Sequence, residues 1–342
     1  MIVVGIDTHI ATCDFYAVNS GGKVIGEGTF QTSAKAFREL VDKLNDKEIV
    51  LVIEQGPLTD WIRRILRPQG CRIAVSETRR NRWIAQDNVK NDRFDAKKLA
   101  SLFLGGFIKE VVQRDERNEE LLRLVMHHHD LIRQRTQVKN KLKAKFRQNG
   151  IRAAGRSVYN PSMRESWLGQ IATNPHLVWP VEAAYAQLDL LDEQLDKTDG
   201  KIALVAKRYD VVRLLDKNFP GIGLVNAATF VALIDTPARF ATVKRLWTYC
   251  GLGLDARSSG LRPGRPQLTR RGNRMLKYML KQATITATKQ SGPNRYQDWY
   301  HEALKKGREE HKAILTCARK LAKDMWLLWR KSEDEYVASA QT

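Results

Sequence analysis

Ile2–Asp7 (IVVGID), Thr12–Asn19 (TCDFYAVN) and Glu48–Glu54 (EIVLVIE) decide how the first hundred residues fold. The first is an apolar run that ends in a carboxylate. The second alternates polar and apolar positions, and Asn19-Ser20-Gly21-Gly22 supplies a hairpin turn into a third strand, Lys23–Phe30. Glu48–Glu54 is apolar at five consecutive positions, the pattern of a strand buried on both faces. Around these strands the period changes. Ala34–Leu44 places Phe37, Leu40, Val41 and Leu44 on one helical face. Pro57 opens a helix to Leu66 that Pro68-Gln69-Gly70 ends, Cys71–Ser76 is a fifth strand, and Asp95–Phe107 is helical. The order βββ-α-β-α-β-α predicts an α/β domain over residues 1–112.

Beyond that point the strands stop. Glu119–Gln148 is a long helix with Leu121, Leu124, Leu131, Val138, Leu142 and Phe146 on one stripe. After a loop with Gly150, Gly155, Pro161 and Pro175, the residues Val181, Ala184, Leu188, Leu191, Leu195, Ile202 and Val205 recur at heptad spacing. Residues 113–206 are therefore expected to form a helical hairpin or coiled coil, and 207–342 a helical domain with loops at Pro220–Gly223 and Gly253–Gly272.

The chain of 342 residues carries 58 Lys and Arg against 38 Asp and Glu, a net charge of +20, which points to a polyanionic partner. The charge is clustered: Leu121–Arg156 holds ten basic residues and one acid, Asp130, and Ala256–Lys289 holds nine basic residues and no acid. Two basic zones far apart in sequence suggest more than one nucleic-acid surface. A hydrophobic content of 43% excludes wholesale disorder. No apolar run reaches membrane-spanning length, and the start lacks a basic region ahead of Asp7, so neither a membrane span nor a signal peptide is expected. The four cysteines form no CxxC pair, which argues against a zinc knuckle and fits a reduced, cytoplasmic compartment.

Four acids stand at telling places. Asp7 and Glu54 end strands that this topology sets side by side, and Asp92 and Asp95 lie three apart at a helix start. Such carboxylates repel one another unless cations join them, and hard oxygen ligands select Mg²⁺ or Mn²⁺. Taken singly, Asp92 and Asp95 could as well cap the helix and Asp7 could belong to a turn. Ser258-Ser259-Gly260, among Arg257, Arg262, Arg265, Arg270 and Arg271, is either an ordinary turn or a hydroxyl nucleophile beside phosphate-holding guanidiniums. Pro220-Gly221-Ile222-Gly223 is either a tight helix connection or a turn whose N–H groups, at Gly221 and Gly223, hold a phosphate. His127, His128 and His129 fan out by ~100° per residue on a helix, so they do not share one ion. His128 falls on the apolar stripe, while His127 and His129 are expected to face solvent or RNA. Most of the eight tryptophans are expected in cores.

Gly5-Ile6-Asp7-Thr8, Ile53-Glu54 and Lys90-Asn91-Asp92-Arg93-Phe94-Asp95-Ala96 resemble the three acidic motifs of the DEDD transposases of the insertion-sequence 110 family, which includes the Piv-type invertases. Pro220–Gly223, Tyr249-Cys250-Gly251-Leu252, Ser258-Ser259-Gly260 and Arg270-Arg271-Gly272-Asn273 resemble that family's C-terminal domain. One departure is Asn91-Asp92-Arg93-Phe94, where members more often have Thr-Asp-Thr-Val; both aspartates persist. The resemblance implies an RNase H-like (RuvC-like) domain, whose element order is the one read above, a coiled-coil dimerisation segment and a helical transposase domain.

It also implies Asp7, Glu54, Asp92 and Asp95 as Mg²⁺ ligands and Ser259, which directly precedes Gly260, as the covalent nucleophile. It implies donor and target DNA, a structured non-coding bridge RNA, and a homodimer that assembles into a tetramer with active sites shared between subunits. The basic helix bearing Lys139, Lys143 and Arg147 is expected on nucleic acid. Two other readings compete: a RuvC-like nuclease or junction resolvase that hydrolyses with metal-activated water, and a non-catalytic architectural binder.

Overall fold

The computed structural model describes the chain except residues 45, 47, 78–91, 112–117, 256–266, 270, 290–292 and 341–342, and at 92, 255 and 335–340 it describes backbone alone. Two compact units, Met1–Gln113 and Arg114–Thr342, make up the fold.

The first unit contains β1 (Ile2–Thr8), β2 (Thr12–Asn19), β3 (Val24–Gln31), α1 (Ala34–Leu44), β4 (Ile49–Glu54), α2 (Thr59–Leu66), β5 (Arg72–Ser76) and α3 (Asp92–Leu104). The strands form one mixed sheet in the order β3-β2-β1-β4-β5. β1 runs antiparallel to β2 and parallel to β4, so the hairpin end is antiparallel and the crossover end parallel. This mixed sheet with flanking helices is consistent with an RNase H-like domain. One face, with Ile2, Val4, Ile6, Leu51 and Ile53, packs on Phe37 and Leu40 of α1 and Ile62 and Leu66 of α2. The other, with Val3, Val50, Val52 and Ala74, packs on Leu99 and Ala100 of α3. Both faces of β4 are thus covered, as its continuous apolar run requires.

Element edges differ from expectation by a few residues, for local reasons. α2 begins at Thr59 rather than Pro57, where the Thr59 hydroxyl accepts from the Gly56 N–H at 2.9 Å. α3 begins at Asp92, and it ends at Leu104 because Gly105 and Gly106 follow, the latter left-handed at φ 70°. Phe107, expected as the last helical residue, lies outside the helix.

The second unit contains α4 (Glu119–Gln148), α5 (Arg164–Gly169), α6 (Pro175–Ala206), α7 (Asp210–Asn218), α8 (Leu224–Ile234), α9 (Val243–Tyr249), β6 (Leu254–Asp255), β7 (Gln267–Leu268), α10 (Arg274–Lys289), α11 (Arg295–Lys305) and α12 (Glu310–Ala340). α4 and α6 lie antiparallel. The ion pairs Glu120–Arg208 and Arg135–Asp192, with the His128 Nδ1 2.6 Å from the Asp199 carboxylate between them, descend one helix as they climb the other. Every residue of the heptad series on α6 is buried. The hairpin does not stand apart from the helical domain. Its open end, with Leu121, Val125, Ile202 and Val205, shares a core with α7, α8, α10 and α12, while its far end, with Leu142, Phe146, Val158 and Tyr185, has a core of its own. The chain therefore divides at 113 and 114, and no boundary falls near residue 206.

Two further expectations are corrected. The segment Gly253–Gly272 carries a two-stranded antiparallel ladder, Leu254 opposite Leu268 and Asp255 opposite Gln267. His129 is turned inward rather than outward, its Nε2 3.2 Å from the Thr229 hydroxyl, and burial pushes its ring down to about 4, so it is neutral. Most of the tryptophans lie in cores as expected, Trp167, Trp326 and Trp329 buried and Trp61, Trp247 and Trp299 packed against them, while Trp179 is 74% exposed on α6.

Candidate active site

The sheet register builds the site. Asp7 is the cross-strand partner of Asp14, and Asp14 of Thr29. The parallel ladder pairs Ile6 with Ile53, so the next residues, Asp7 and Glu54, emerge side by side, and Glu54 in turn faces Ser76. Since side chains alternate, Thr29, Asp14, Asp7, Glu54 and Ser76 form one polar row across all five strands, on the α3 face. Neighbouring strands lie ~4.8 Å apart, which brings the three carboxylates of the row into mutual repulsion.

Helix α3 adds a fourth. A Cβ on Gly5 would lie 2.0 Å from the Ala96 carbonyl oxygen and 2.7 Å from the Ala100 amide nitrogen, so only glycine lets the helix backbone rest on β1 here. The small side chains of Ala96 and Ala100 complete that seat, and Leu99 packs beside it. The contact lies two residues before Asp7 on the strand and one residue after Asp95 on the helix, which sets Asp95 within electrostatic reach of the same Glu54 carboxyl that Asp7 acts on. Burial, with the negative charges of Asp7 and Asp95, raises the Glu54 carboxyl above its ordinary value.

Asp7, Glu54 and Asp95, three of the four acids singled out in the sequence, thus converge. The side chain of Asp92 lies outside the described ones, with its backbone in the first turn of the same helix. The donor set is all hard oxygen and its charge is mutually unfavourable without a counterion, which suits a divalent cation such as Mg²⁺ or Mn²⁺. Among the described residues, no group of three or more His, Cys, Asp or Glu side chains is placed to hold a metal ion.

Two neighbours were missed by sequence reasoning. His9 places Nε2 3.1 Å from the Asp7 carboxylate, and its position two residues after Asp7 was the available signal. Asp14 is 7% exposed and accepts from the Thr29 hydroxyl at 2.5 Å. Only strand register reveals it.

In the second unit, Lys139 and Lys143 both reach over the Tyr159 ring, 5.2 and 5.1 Å from its centroid, and the Lys143 ammonium donates to the Gly155 carbonyl at 2.6 Å. Burial, then the charge of Arg135, pulls the Lys139 ammonium below its ordinary value. Arg147 and Arg271 are exposed. Gly221, left-handed at φ 78°, sits against α10, where a Cβ would come within 2.2 Å of the Ala283 carbonyl. Of the two readings of that turn, the tight connection accounts for Gly221; Gly223 has open space around it at the start of α8. Ser259, Arg257, Arg262, Arg265 and Arg270 lie outside the described residues. The β6–β7 ladder joins the residues on either side of 256–266.

Comparison with known proteins adds two family matches. Residues 4–149 match a family of IS110-type DEDD proteins described as transposase, and residues 215–301 match the family described as transposase IS116/IS110/IS902. An uncharacterized 44.8 kDa protein of insertion element IS116 from Streptomyces clavuligerus is 30% identical over 144 residues, 42% of this chain and 35% of that protein. The chain thus spans about a third of that relative's length. The putative transposase y4qE of Sinorhizobium fredii is 26% identical over 83% of this chain and 71% of its own. The transposase of insertion sequence IS1111A from Coxiella burnetii is 22% identical over 71% of this chain and 68% of its own. No helix among the described residues is long and apolar enough to cross a membrane.

Proposed function

Because the chain belongs to the insertion-sequence 110 family of transposases, we propose that it cuts and rejoins DNA strands through a covalent phosphoserine at Ser259, with Asp7, Glu54, Asp92 and Asp95 holding Mg²⁺ or Mn²⁺. The observation that carries this reading is the convergence of Asp7, Glu54 and Asp95 at one end of the sheet, raising the Glu54 carboxyl. A divalent ion there supplies positive charge where a phosphodiester gathers negative charge during transfer. The chain's own residues do the rest. The carboxylates fix where a scissile phosphate can lie. The Ser259 oxygen bonds to phosphorus as a strand oxygen leaves carrying a proton, and attack by another strand's oxygen reverses the step and frees the serine. The phosphodiester bond energy is conserved, so no nucleotide hydrolysis is needed, in keeping with the absence of a P-loop sequence.

The two basic zones would serve two polyanions, the DNA being cut and a structured non-coding RNA whose base pairing selects donor and target. Lys139, Lys143 and Arg147 are assigned to one zone. Arg257, Arg262, Arg265, Arg270 and Arg271 are assigned to the other, beside the serine. The hairpin α4–α6 is assigned to coiled-coil dimerisation, two dimers forming a tetramer in which the acids of one subunit serve the serine of another. Mixing Asp7→Asn and Ser259→Ala chains, each inactive alone, would then restore part of the cleavage.

The test is covalent capture. Incubated with its element DNA, co-purified RNA and Mg²⁺, the wild-type protein should form an adduct resistant to denaturant that Ser259→Ala does not form. Mg²⁺-dependent cleavage with no adduct would sink the phosphoserine and leave hydrolysis by the acid cluster.

A further inference from the structure

Asp14 is a carboxylate inside the sheet with a role the ion-binding acids do not explain. It is 7% exposed, and burying an unpaired carboxylate is costly. The Thr29 hydroxyl donates to its Oδ1 at 2.5 Å, and the Arg93 guanidinium Nε stands 3.9 Å from the same oxygen. Arg93 belongs to the first turn of α3, between Asp92 and Asp95. Asp14 sits on β2 directly across from Asp7. The pair therefore runs from the strand beside one proposed ligand to the helical turn that bears two others.

α3 packs on the sheet through Ala96, Leu99, Ala100, Phe103 and Leu104, all of them C-terminal to Asp95. α3 rests on Gly5 through Ala96 and Ala100, so the turn carrying Asp92 and Asp95 projects past that seat. A second contact, on the far side of Asp95, fixes the direction of the helix as well as its depth. The Lys97 ammonium over the Tyr16 ring, at 5.6 Å, braces the same flank of β2.

We propose that Asp14 and Arg93 are a positioning pair that holds the first turn of α3 over the polar row, setting Asp95 towards Asp7 and Glu54. The inference rests on the reading that Asp7, Glu54, Asp92 and Asp95 hold the divalent ion. Its electrostatic signature runs against intuition. Arg93 is a cation close to a cation site and its side chain is 68% exposed. If it were only a bystander charge, Arg93→Ala would relieve repulsion and tighten divalent binding about twofold. If it positions the acids, the same change weakens binding by about tenfold, as loss of an outer partner of a metal site does.

Calorimetric titration of the full-length protein with Mn²⁺ reads that sign directly. The expected order is wild type near Arg93→Lys, both well above Arg93→Ala. Adding Asp14→Asn to Arg93→Ala should weaken binding no further, because the two act as a unit. Tighter binding in Arg93→Ala, or losses that add in the double variant, would overturn the proposal. Hydrogen–deuterium exchange of amides 93–97 in metal-free protein gives a second readout, expected several-fold faster in Arg93→Ala and restored in Arg93→Lys. Unchanged exchange overturns the pair even where Mn²⁺ binds. Should wild type bind no Mn²⁺, the metal reading itself fails, and exchange alone decides whether the pair holds the helix.

Discussion

Gly5 and Gly221 meet helices in nearly the same way. In each, a Cβ would strike an alanine carbonyl on a helix, Ala96 at 2.0 Å and Ala283 at 2.2 Å, and crowd the alanine amide one turn on, Ala100 or Ala287. In the first unit the close approach lies beside Asp7 on the strand and Asp95 on the helix. In the second it seats a turn on α10. The same device thus lies among acidic residues in one place and joins two helices in the other.

The largest effect is expected of Gly5→Ala. A methyl there pushes α3 off β1 and displaces Asp95 from Asp7 and Glu54. Strand cleavage should fall at least ~100-fold, the scale of a 1 Å misplacement, with about 1–3 kcal/mol lost from overpacking. A nicking assay beside thermal unfolding checks both. Gly221→Ala combines the clash at α10 with a left-handed backbone and should cost the second unit about 2–4 kcal/mol. Its folded fraction should bind DNA with an unchanged salt slope. A slope reduced by about one unit would instead restore the phosphate reading of that turn.

The basic helix divides in a subtler way. Lys139 and Lys143 are partly engaged by Tyr159 and Gly155, whereas Arg147 is exposed. Replacing all three with Ala should lower the log–log salt slope by about 1–2, less than the ~3 expected of three independent phosphate contacts. Binding titrations over a salt series measure it, and Arg147→Ala alone should give most of the change.

The smallest expected effect concerns Glu54. Its carboxyl is raised in the folded state, so the stability this group lends is full below the ordinary carboxylate range and is lost as pH rises through the raised value. At neutral pH without divalent ions it is a repulsive charge. Glu54→Gln should then melt higher by roughly 1–3 °C, a difference that disappears towards pH 3. Mn²⁺ should reverse the order by stabilising wild type more.

Much of this was legible in the sequence because it is written in periods. Strand and helix runs, the heptad series on α6 and the strand-end acids Asp7 and Glu54 follow from spacing alone. What was not legible depends on register and on close approach. Nothing local in TCDFYAVN says that Asp14 faces Asp7, because that pairing is set by a turn and a partner strand. Nor does a glycine announce whether its missing Cβ serves a helix or a ligand. The β6–β7 ladder escaped because two residues per strand give no alternation to count. His129 was assigned outward from the fan of a helix, when the neighbour that claims it, Thr229, is a hundred residues away in sequence.

One feature of the second unit has a calorimetric consequence. α4 is thirty residues long, a rod of about 45 Å, and it contributes to two cores that lie at its opposite ends. A rod shared by two cores makes a geometric unit that melts in two stages. Heat absorbed by the far end, around Phe146 and Tyr185, should peak apart from that of the end around Leu121 and Ile202. With the heat of the first unit set apart, the sum of the two van't Hoff enthalpies should equal the calorimetric enthalpy that remains, where neither alone does. A nucleic acid gripping Lys139 to Arg147 would shift the far-end peak upward and leave the other nearly where it stands.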